Sequence, residues 1–539
     1  MVEPRGLFGE RLTLCRERLL LAKDETALLA GFVRRPGSHP WIGEHVGKWL
    51  DAACCELERT RDARLAAKIE RVVTMLRAAQ EPDGYLGTYE PAARWSSWDV
   101  WVHKYVLLGL LAHHRATGDA ASLDCARRVG ELLVRTFHTG HGGSLDLLSP
   151  RVSTHAGMAA GSVLVAIVKL FRATGEERFL DFARFVARRL SDEEGGPRIG
   201  AGLRAGRGVH EIGNGKAYEL LSCLCGFVDL SRVSGEREFA EAAKLAFDDV
   251  VRHQLYVTGG LSFEEHFRAP GTAPSVGDVS ETCALVTWMQ LCVELFRFTG
   301  EQHFVAPFER AAWNHLLAAQ RQDGSAFGYF TPLAGARRWR DDFNCCGSSG
   351  PRGLELVPQL VAAVQEPLLG EARAPARVEL PLLIDARARI AVAGGRVELE
   401  VATNFGSCEP LDAPRRATIS ARSDVGCELV VHAPSWARRT TFDGREEESP
   451  CRVRVVPGAP RELVVLVLEP AADFELGHGR ESGRRARLLG PLVLARPGGR
   501  VEAPLVPFFT AGGETPLQVW EEIEQPLDDR RPAAKLRSS

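Results

Sequence analysis

Polar and apolar positions along the first two-thirds of the chain repeat one phrase. "HHRATGDAASLDCARRV", "LFRATGEERFLDFARFV", "LSRVSGEREFAEAAKLA" and "LFRFTGEQHFVAPFERA" each run from an apolar-faced stretch through a Thr-Gly or Ser-Gly break to an acidic start and a second amphipathic stretch. The glycines are Gly118, Gly175, Gly235 and Gly300, and "LERTRDARLAAKIERVV" fits the phrase with Arg61 in the glycine's place. The spacings are 57, 57, 60 and 65 residues. Apolar residues returning every three or four positions predict helices, and a glycine after the last of them predicts a left-handed C-cap. Five helical hairpins with flanking helices predict a closed ring of about six, an (α/α)6 toroid, with an open solenoid as the alternative.

The period changes after a predicted helix, "GLELVPQLVAAVQ". "ARVELPLLI", "GRVELEVATNF", "CELVVHAPSW", "CRVRVV", "RELVVLVLEP" and "RARLLGPLVLA" are short runs rich in Val and Leu, bounded by Gly, Pro and Asp. They predict strands. The expected organisation is a helical ring over residues 1–366, all-β sandwich modules of jelly-roll type over 367–525, and a frayed tail over 526–539.

Composition narrows the function classes. The chain has 539 residues, 45% hydrophobic and 25% charged, with a net charge of -3, so no nucleic acid or anionic membrane is expected as partner. The longest uncharged apolar stretch, Ala156 to Val168, is shorter than a bilayer span requires. The start, "MVEPRGLFGERLTL", lacks a basic segment followed by an apolar block, and thirteen scattered cysteines do not form a disulfide framework. The expectation is a cytoplasmic protein with reduced thiols; a homo-oligomer is compatible with these numbers.

The chemistry concentrates in two stretches. In "DDFNCCGSSGPRG", Cys345 and Cys346 precede a Gly-Ser-Ser-Gly-Pro run that predicts a tight turn rather than a core helix. Both thiols can reach one metal ion only if the backbone turns sharply there. In "VGDVSETCALVTWMQ", Glu281 and Cys283 sit where a helix should begin, with Ser280 as the expected N-cap. Mid-helix, two residues apart would diverge; at a helix start they need not, and the dipole there favours thiolate and carboxylate. Four such ligands suit tetrahedral zinc, Zn2+. For Cys283 alone, ordinary core packing explains the residue equally well. Cys54, Cys55, Cys125, Cys223, Cys225 and Cys292 lie in predicted helices and read as packing, while Cys408, Cys427 and Cys451 in the β region show no ligand spacing. A further stretch, "YVTGGLSFEEHF", sets Glu264, Glu265 and His266 between Phe263 and Phe267. A solvated charge pair is the ordinary reading, but aromatic walls would raise a carboxyl pKa and create a general acid.

"TGG…EEHF", "SETC", "YFTPL" and "NCCGSSGPRGL", in this order, resemble glycoside hydrolase family 127, the β-L-arabinofuranosidase-like family. "QEPDGYLGTY", "WIGEHVGKWLDAA", "GKAYELLSC" and "RLLGPLVLA" extend the likeness along nearly the whole chain. The resemblance implies an (α/α)6 barrel followed by β-sandwich domains. It implies zinc held by Glu281, Cys283, Cys345 and Cys346, with Cys345 as nucleophile, Glu265 as acid/base and Tyr329 close to the nucleophile. The implied reaction is retaining exo-hydrolysis of an oligosaccharide or glycoconjugate, releasing terminal β-L-arabinofuranose or a related sugar. The family's sugar-binding histidines have no clear counterparts: His103, His155 and His210 are candidates, and Lys216 stands where another would align. Trp95, Trp98 and Trp101 are candidates for stacking on sugar, and Asp83 and Tyr85 for the rim of the site. Two other classes compete: a toroidal polysaccharide lyase or sugar epimerase, and a non-catalytic carbohydrate-binding protein with structural zinc. Glu265 discriminates, because a closed structural site needs no carboxylate across the pocket.

Overall fold

A computed structural model describes residues 1–192, 194–339, 344–365, 376–407, 413–476, 484–497, 506–510 and 517–522. The expected domain boundary at 366/367, Cys408 and the 526–539 tail lie outside the described residues.

Six helices form the inner ring: Glu44–Thr60, Asp99–Thr117, Leu164–Thr174, Ala217–Ser234, Thr282–Thr299 and Cys345–Leu354. Each packs on the next and the sixth returns to the first, so the ring is closed. The outer layer is Ala63–Ala78, Ala120–Phe137, Glu177–Ser191, Arg237–His253, a broken run over 302–319, and Gly6–Cys15 against the sixth inner helix. Sequence explains the two layers. Outer helices bury one stripe, as Ala63–Ala78 does with Leu65, Ile69, Val72, Val73 and Leu76. Inner helices are buried nearly all round, as Asp99–Thr117 is from Asp99 to His113.

The repeated break is the hinge between layers. Gly118, Gly175, Gly235 and Gly300 are left-handed C-caps with φ of 78°, 69°, 77° and 75°. Arg61 takes the same left-handed turn at φ 56° without glycine's freedom. Where the acid after the break is an aspartate it caps the outer helix: Asp62 accepts from the Arg64 and Leu65 amides, Asp119 from those of Ala121 and Ser122; Glu176 and Glu236 stand at the same N-cap position without a side-chain cap bond. Because every hairpin turns at the same end, the N-termini of the inner helices gather at the other end. The helical run His155–Thr174 is long and apolar enough to cross a membrane by composition, but 72% of its apolar window is buried inside the protein.

The C-terminal region folds as several sheets. A seven-stranded sheet includes Ala386–Val392, Gly395–Thr403, Arg415–Ser423 and Arg461–Val467, and a four-stranded sheet includes Ala376–Leu380, Cys427–Val431 and Cys451–Val455. Burial alternates along Gly395–Thr403, Arg415–Ser423 and Cys451–Val455, so one face of each of these strands is packed, whereas Cys427–Val431 is buried along most of its length. Three pairings tie helical and β regions together. Val2–Pro4 adds an edge strand to Ala386–Val392, Ala363–Gln365 pairs with Ala376–Leu380, and Ala334–Gly335 pairs with Leu517–Gln518. The helix predicted over "GLELVPQLVAAVQ" does not form. The helix ends at Leu354, a 3-10 turn spans Val357–Leu360, and Ala363–Gln365 is a strand. Pro358 has no amide hydrogen to continue the ladder, and the apolar residues beyond it complete a sheet edge instead.

Candidate active site

The Glu-x-Cys segment enters its helix differently from the sequence expectation. Glu281, not Ser280, is the N-cap, with φ -60° and ψ 130°. Ser280 is left-handed at φ 52°, and its hydroxyl accepts instead from the Leu261 amide at 3.1 Å. The extended backbone at Glu281 turns helical at Thr282, which brings the Glu281 carboxylate and the Cys283 thiol to one side. The Thr282 amide and hydroxyl donate to the carbonyls of Tyr329 (3.0 Å) and Gly328 (2.7 Å), so the "YFTPL" segment is fixed to the same helix start.

The vicinal cysteines lie in a helix, not on the tight turn expected from Gly-Ser-Ser-Gly-Pro. The helix Cys345–Leu354 begins at the pair itself, and the Asn344 side chain caps it by accepting from the Cys346 and Gly347 amides, each at 3.0 Å. The small residues serve packing. A Cβ on Gly350 would fall 2.2 Å from the Phe327 ring, and one on Gly353 would fall 2.7 Å from Val286. The sharp turn needed to aim two adjacent thiols at one point is supplied by the change from extended backbone to first helical turn.

Glu281, Cys283, Cys345 and Cys346 place their ligand atoms within 4.8 Å of one another. Cys283 Sγ lies 3.6 Å from Cys346 Sγ, Cys345 Sγ 3.9 Å from Cys346 Sγ, and Glu281 Oε1 3.9 Å from Cys346 Sγ. Sulfurs around tetrahedral zinc stand about 3.8 Å apart, given bonds of about 2.3 Å. Glu281 Oε2 is buried without a hydrogen-bond partner among the described residues. Three thiols, a carboxylate and an orphaned buried oxygen fit a zinc-type cation. Without one, burial drives the Glu281 carboxyl and the Cys283 and Cys346 thiols up, while hydrogen bonds from Cys283 and Cys346 pull Cys345 down to about 5. The fully buried Lys48 adds positive charge, with Nζ 3.8 Å from Cys283 Sγ and 3.0 Å from Glu44 Oε1.

Across the opening lies Glu265, in a segment where Ser262, Glu264 and Glu265 have φ of 72°, 47° and 66°. The left-handed path turns its carboxylate inward, where Tyr329 donates to Oε1 and Lys216 pairs with Oε2. Burial pushes this carboxyl up, but those two donors outweigh it and hold it below its ordinary range. The expected elevation by Phe263 and Phe267 therefore does not occur: Phe263 packs on the Arg268 guanidinium and Phe267 is in the core.

A cavity of about 1010 Å³ opens over both groups and is lined by Cys345, Glu265, Glu281, Tyr329 and Lys216 among others. Of the three thiols in the cluster, only Cys345 lines it; Cys283 and Cys346 are buried behind. Five of the six inner helices open onto the cavity at their N-termini, through Glu44, Trp98, Lys216, Glu281 and Asn344, and these positive helix ends support the carboxylates and thiols already gathered there. The candidate histidines fare differently. His103 is in the core, its ring bonded to the Asp99 carbonyl at 2.8 Å, and His210 lies away from the cavity lining. His155 stands behind the lining, 3.1 Å from Asn214 Nδ2, with its ring centroid 5.4 Å from that of Trp98. Trp98 and Trp101 line the cavity, whereas Trp95 packs on His103. Asp83 and Tyr85 are turn and core residues, Tyr85 donating to Asp99 at 3.0 Å. Sequence reasoning missed His39, Trp41, Glu44 and Glu219, all in the lining. Their shared signal is position, at or just before the start of an inner helix.

Residues 24–359 match the family described as β-L-arabinofuranosidase, GH127 catalytic domain. A non-reducing end β-L-arabinofuranosidase of Bifidobacterium longum subsp. longum is 24% identical over 515 residues, covering 83% of this chain and 74% of the relative. The crystal structure of a GH127 β-L-arabinofuranosidase from Geobacillus stearothermophilus T6 is similar with a TM-score of 0.76 at 18% identity, covering 96% of this chain and 99% of that one. A second solved GH127 β-arabinofuranosidase gives 0.76 at 20% identity, covering 97% and 96%. These two likenesses share the fold. With the family match running from before the first inner helix to beyond the last, the chain belongs to glycoside hydrolase family 127, the β-L-arabinofuranosidase family, and is a glycoside hydrolase.

Proposed function

We propose that this glycoside hydrolase is a zinc-dependent, retaining exo-enzyme that releases terminal β-L-arabinofuranose, with Cys345 as nucleophile and Glu265 as acid/base. One observation carries the reading: of the cluster's thiols, Cys345 alone faces the cavity, and it faces the same space as Glu265. Glu281, Cys283, Cys345 and Cys346 would hold zinc, which when bound keeps Cys345 as a positioned thiolate. Cys345 Sγ attacks the anomeric carbon while Glu265 gives its proton to the departing glycosidic oxygen, leaving a thioglycosyl enzyme. Glu265, now a carboxylate, takes a proton from water as that water displaces the Cys345 sulfur. Tyr329 and Lys216 fix both carboxylate oxygens and favour the ionised form, which suits the second step; the first step draws on the protonated minority of Glu265, its proton taken from solvent beforehand. The arabinofuranosyl choice rests on the family and on the Bifidobacterium relative's activity. Reduced thiols throughout the cluster fit a cytoplasmic setting.

The test is hydrolysis of 4-nitrophenyl β-L-arabinofuranoside by wild type, Cys345→Ser and Glu265→Gln, with bound metal measured in each. The expected loss is at least about a thousandfold for Cys345→Ser and about a hundredfold or more for Glu265→Gln. Full activity in Cys345→Ser would rule out the nucleophile.

A further inference from the structure

Glu219 is a buried carboxylate in the cavity that the reaction above does not use. It lies on the first turn of the helix Ala217–Ser234, three residues after the Lys216 cap. The residue is 1% exposed yet belongs to the cavity lining. Its Oε2 has no hydrogen-bond partner among the described residues, and His155 Nε2 lies 3.9 Å from Oε1, beyond hydrogen-bond reach. Burial raises this carboxyl to about 7 against the pull of Lys216. An acceptor kept buried and unsatisfied is costly, and native proteins retain such groups where something else completes them.

Its place says what completes it. Lys216, one turn earlier on the same helix start, is paired with Glu265, so a donor reaching Glu219 Oε2 sits beside the acid/base carboxylate. The rest of this wall includes Glu44, Glu265 and Glu281, and the Lys216 ammonium among them is already engaged. The unfilled position therefore accepts a hydroxyl and repels an anion. We propose that Glu219 accepts a hydrogen bond from a hydroxyl of the reacting sugar and selects a neutral sugar over its uronate. This deepens the glycosidase reading and rests on it for the identity of the sugar.

The test compares wild type with Glu219→Gln and Glu219→Asp, each first checked for unchanged Tm and metal content. With 4-nitrophenyl β-L-arabinofuranoside and its 2-, 3- and 5-deoxy analogues, Glu219→Gln should lose about 10- to 100-fold in kcat/KM on the parent. One deoxy analogue should lose as much in wild type, and combining the two changes should cost no more. In parallel, calorimetry titrates the full chain with neutral monosaccharides and the matching uronates; wild type should bind a neutral sugar that Glu219→Gln does not. If wild type leaves the aryl furanoside intact but shows that binding difference, the arabinofuranosidase reading falls and the role of Glu219 stands. The role is overturned if Glu219→Gln matches wild type on every analogue and sugar, if uronates bind as well as neutral sugars, or if wild type binds no sugar at all.

Discussion

The protein contains two vicinal cysteine pairs, and both are helical. Cys54–Cys55 lies within the helix Glu44–Thr60, and Cys345–Cys346 opens the helix Cys345–Leu354. In the interior pair the side chains point about 100° apart, Cys54 into the core and Cys55 against Arg115 at 3.3 Å. Burial drives both thiols up, Cys55 to about 12. In the terminal pair Asn344 caps the Cys346 and Gly347 amides, burial drives Cys346 up, and hydrogen bonds from Cys283 and Cys346 bring Cys345 down to about 5. The same dipeptide in the same secondary structure is packing in one place and half of a candidate metal cluster in the other. Helix position and company decide, not local sequence.

The comparison breaks most visibly in metal content. Cys346→Ala should drop bound zinc from about one equivalent to a small fraction, while Cys54→Ala should leave it unchanged; elemental analysis of the purified proteins checks this, and equal losses would erase the distinction. Alkylation of metal-free protein by iodoacetamide sharpens it next. Deprotonation proceeds as pH rises, so labelling of Cys345 should already be on its plateau above pH about 6, while that of Cys55 should still be climbing toward about 12. Peptide mass spectrometry across pH separates the two. The smallest effect concerns the cap that only the terminal pair has. Asn344→Ala removes two hydrogen bonds to the first turn and should cost about 1 kcal/mol in denaturant unfolding, with loosened metal binding.

What the sequence made legible follows from how local the physics is. The hairpins were readable because Gly118, Gly175, Gly235 and Gly300 each do a local job, closing a helix in the left-handed region. Even Arg61, the exception, keeps that geometry. Glu281 and Cys283 were readable as a pair because a helix start lets them converge, although the cap is Glu281 and Ser280 is drawn off by the Leu261 amide. The helix at Cys345 was missed because its glycines and serines look like turn residues until Phe327 and Val286 are seen pressing on them. Glu265 does line the cavity, but its Phe neighbours do not set its acidity; Lys216 and Tyr329, distant in sequence, do. His103 looked available, but its ring is committed to the Asp99 carbonyl one turn back. The edge strand Val2–Pro4 carries no local signal, since three residues become a strand only beside Ala386–Val392.

That last pairing, with the closure of the ring, imposes a schedule on biosynthesis. The first strand leaves the ribosome with nothing to pair with until Ala386–Val392 emerges, and the helix Glu44–Thr60 waits as long for Cys345–Leu354. At ordinary translation speed this delay is on the order of tens of seconds. Glu281 and Cys283 are made well before Cys345 and Cys346, so the four-ligand cage exists only once the last stave of the barrel is in place. A zinc ion held by all four would be a mark that assembly is finished, and a chain stalled before residue 345 could carry no more than half of that mark.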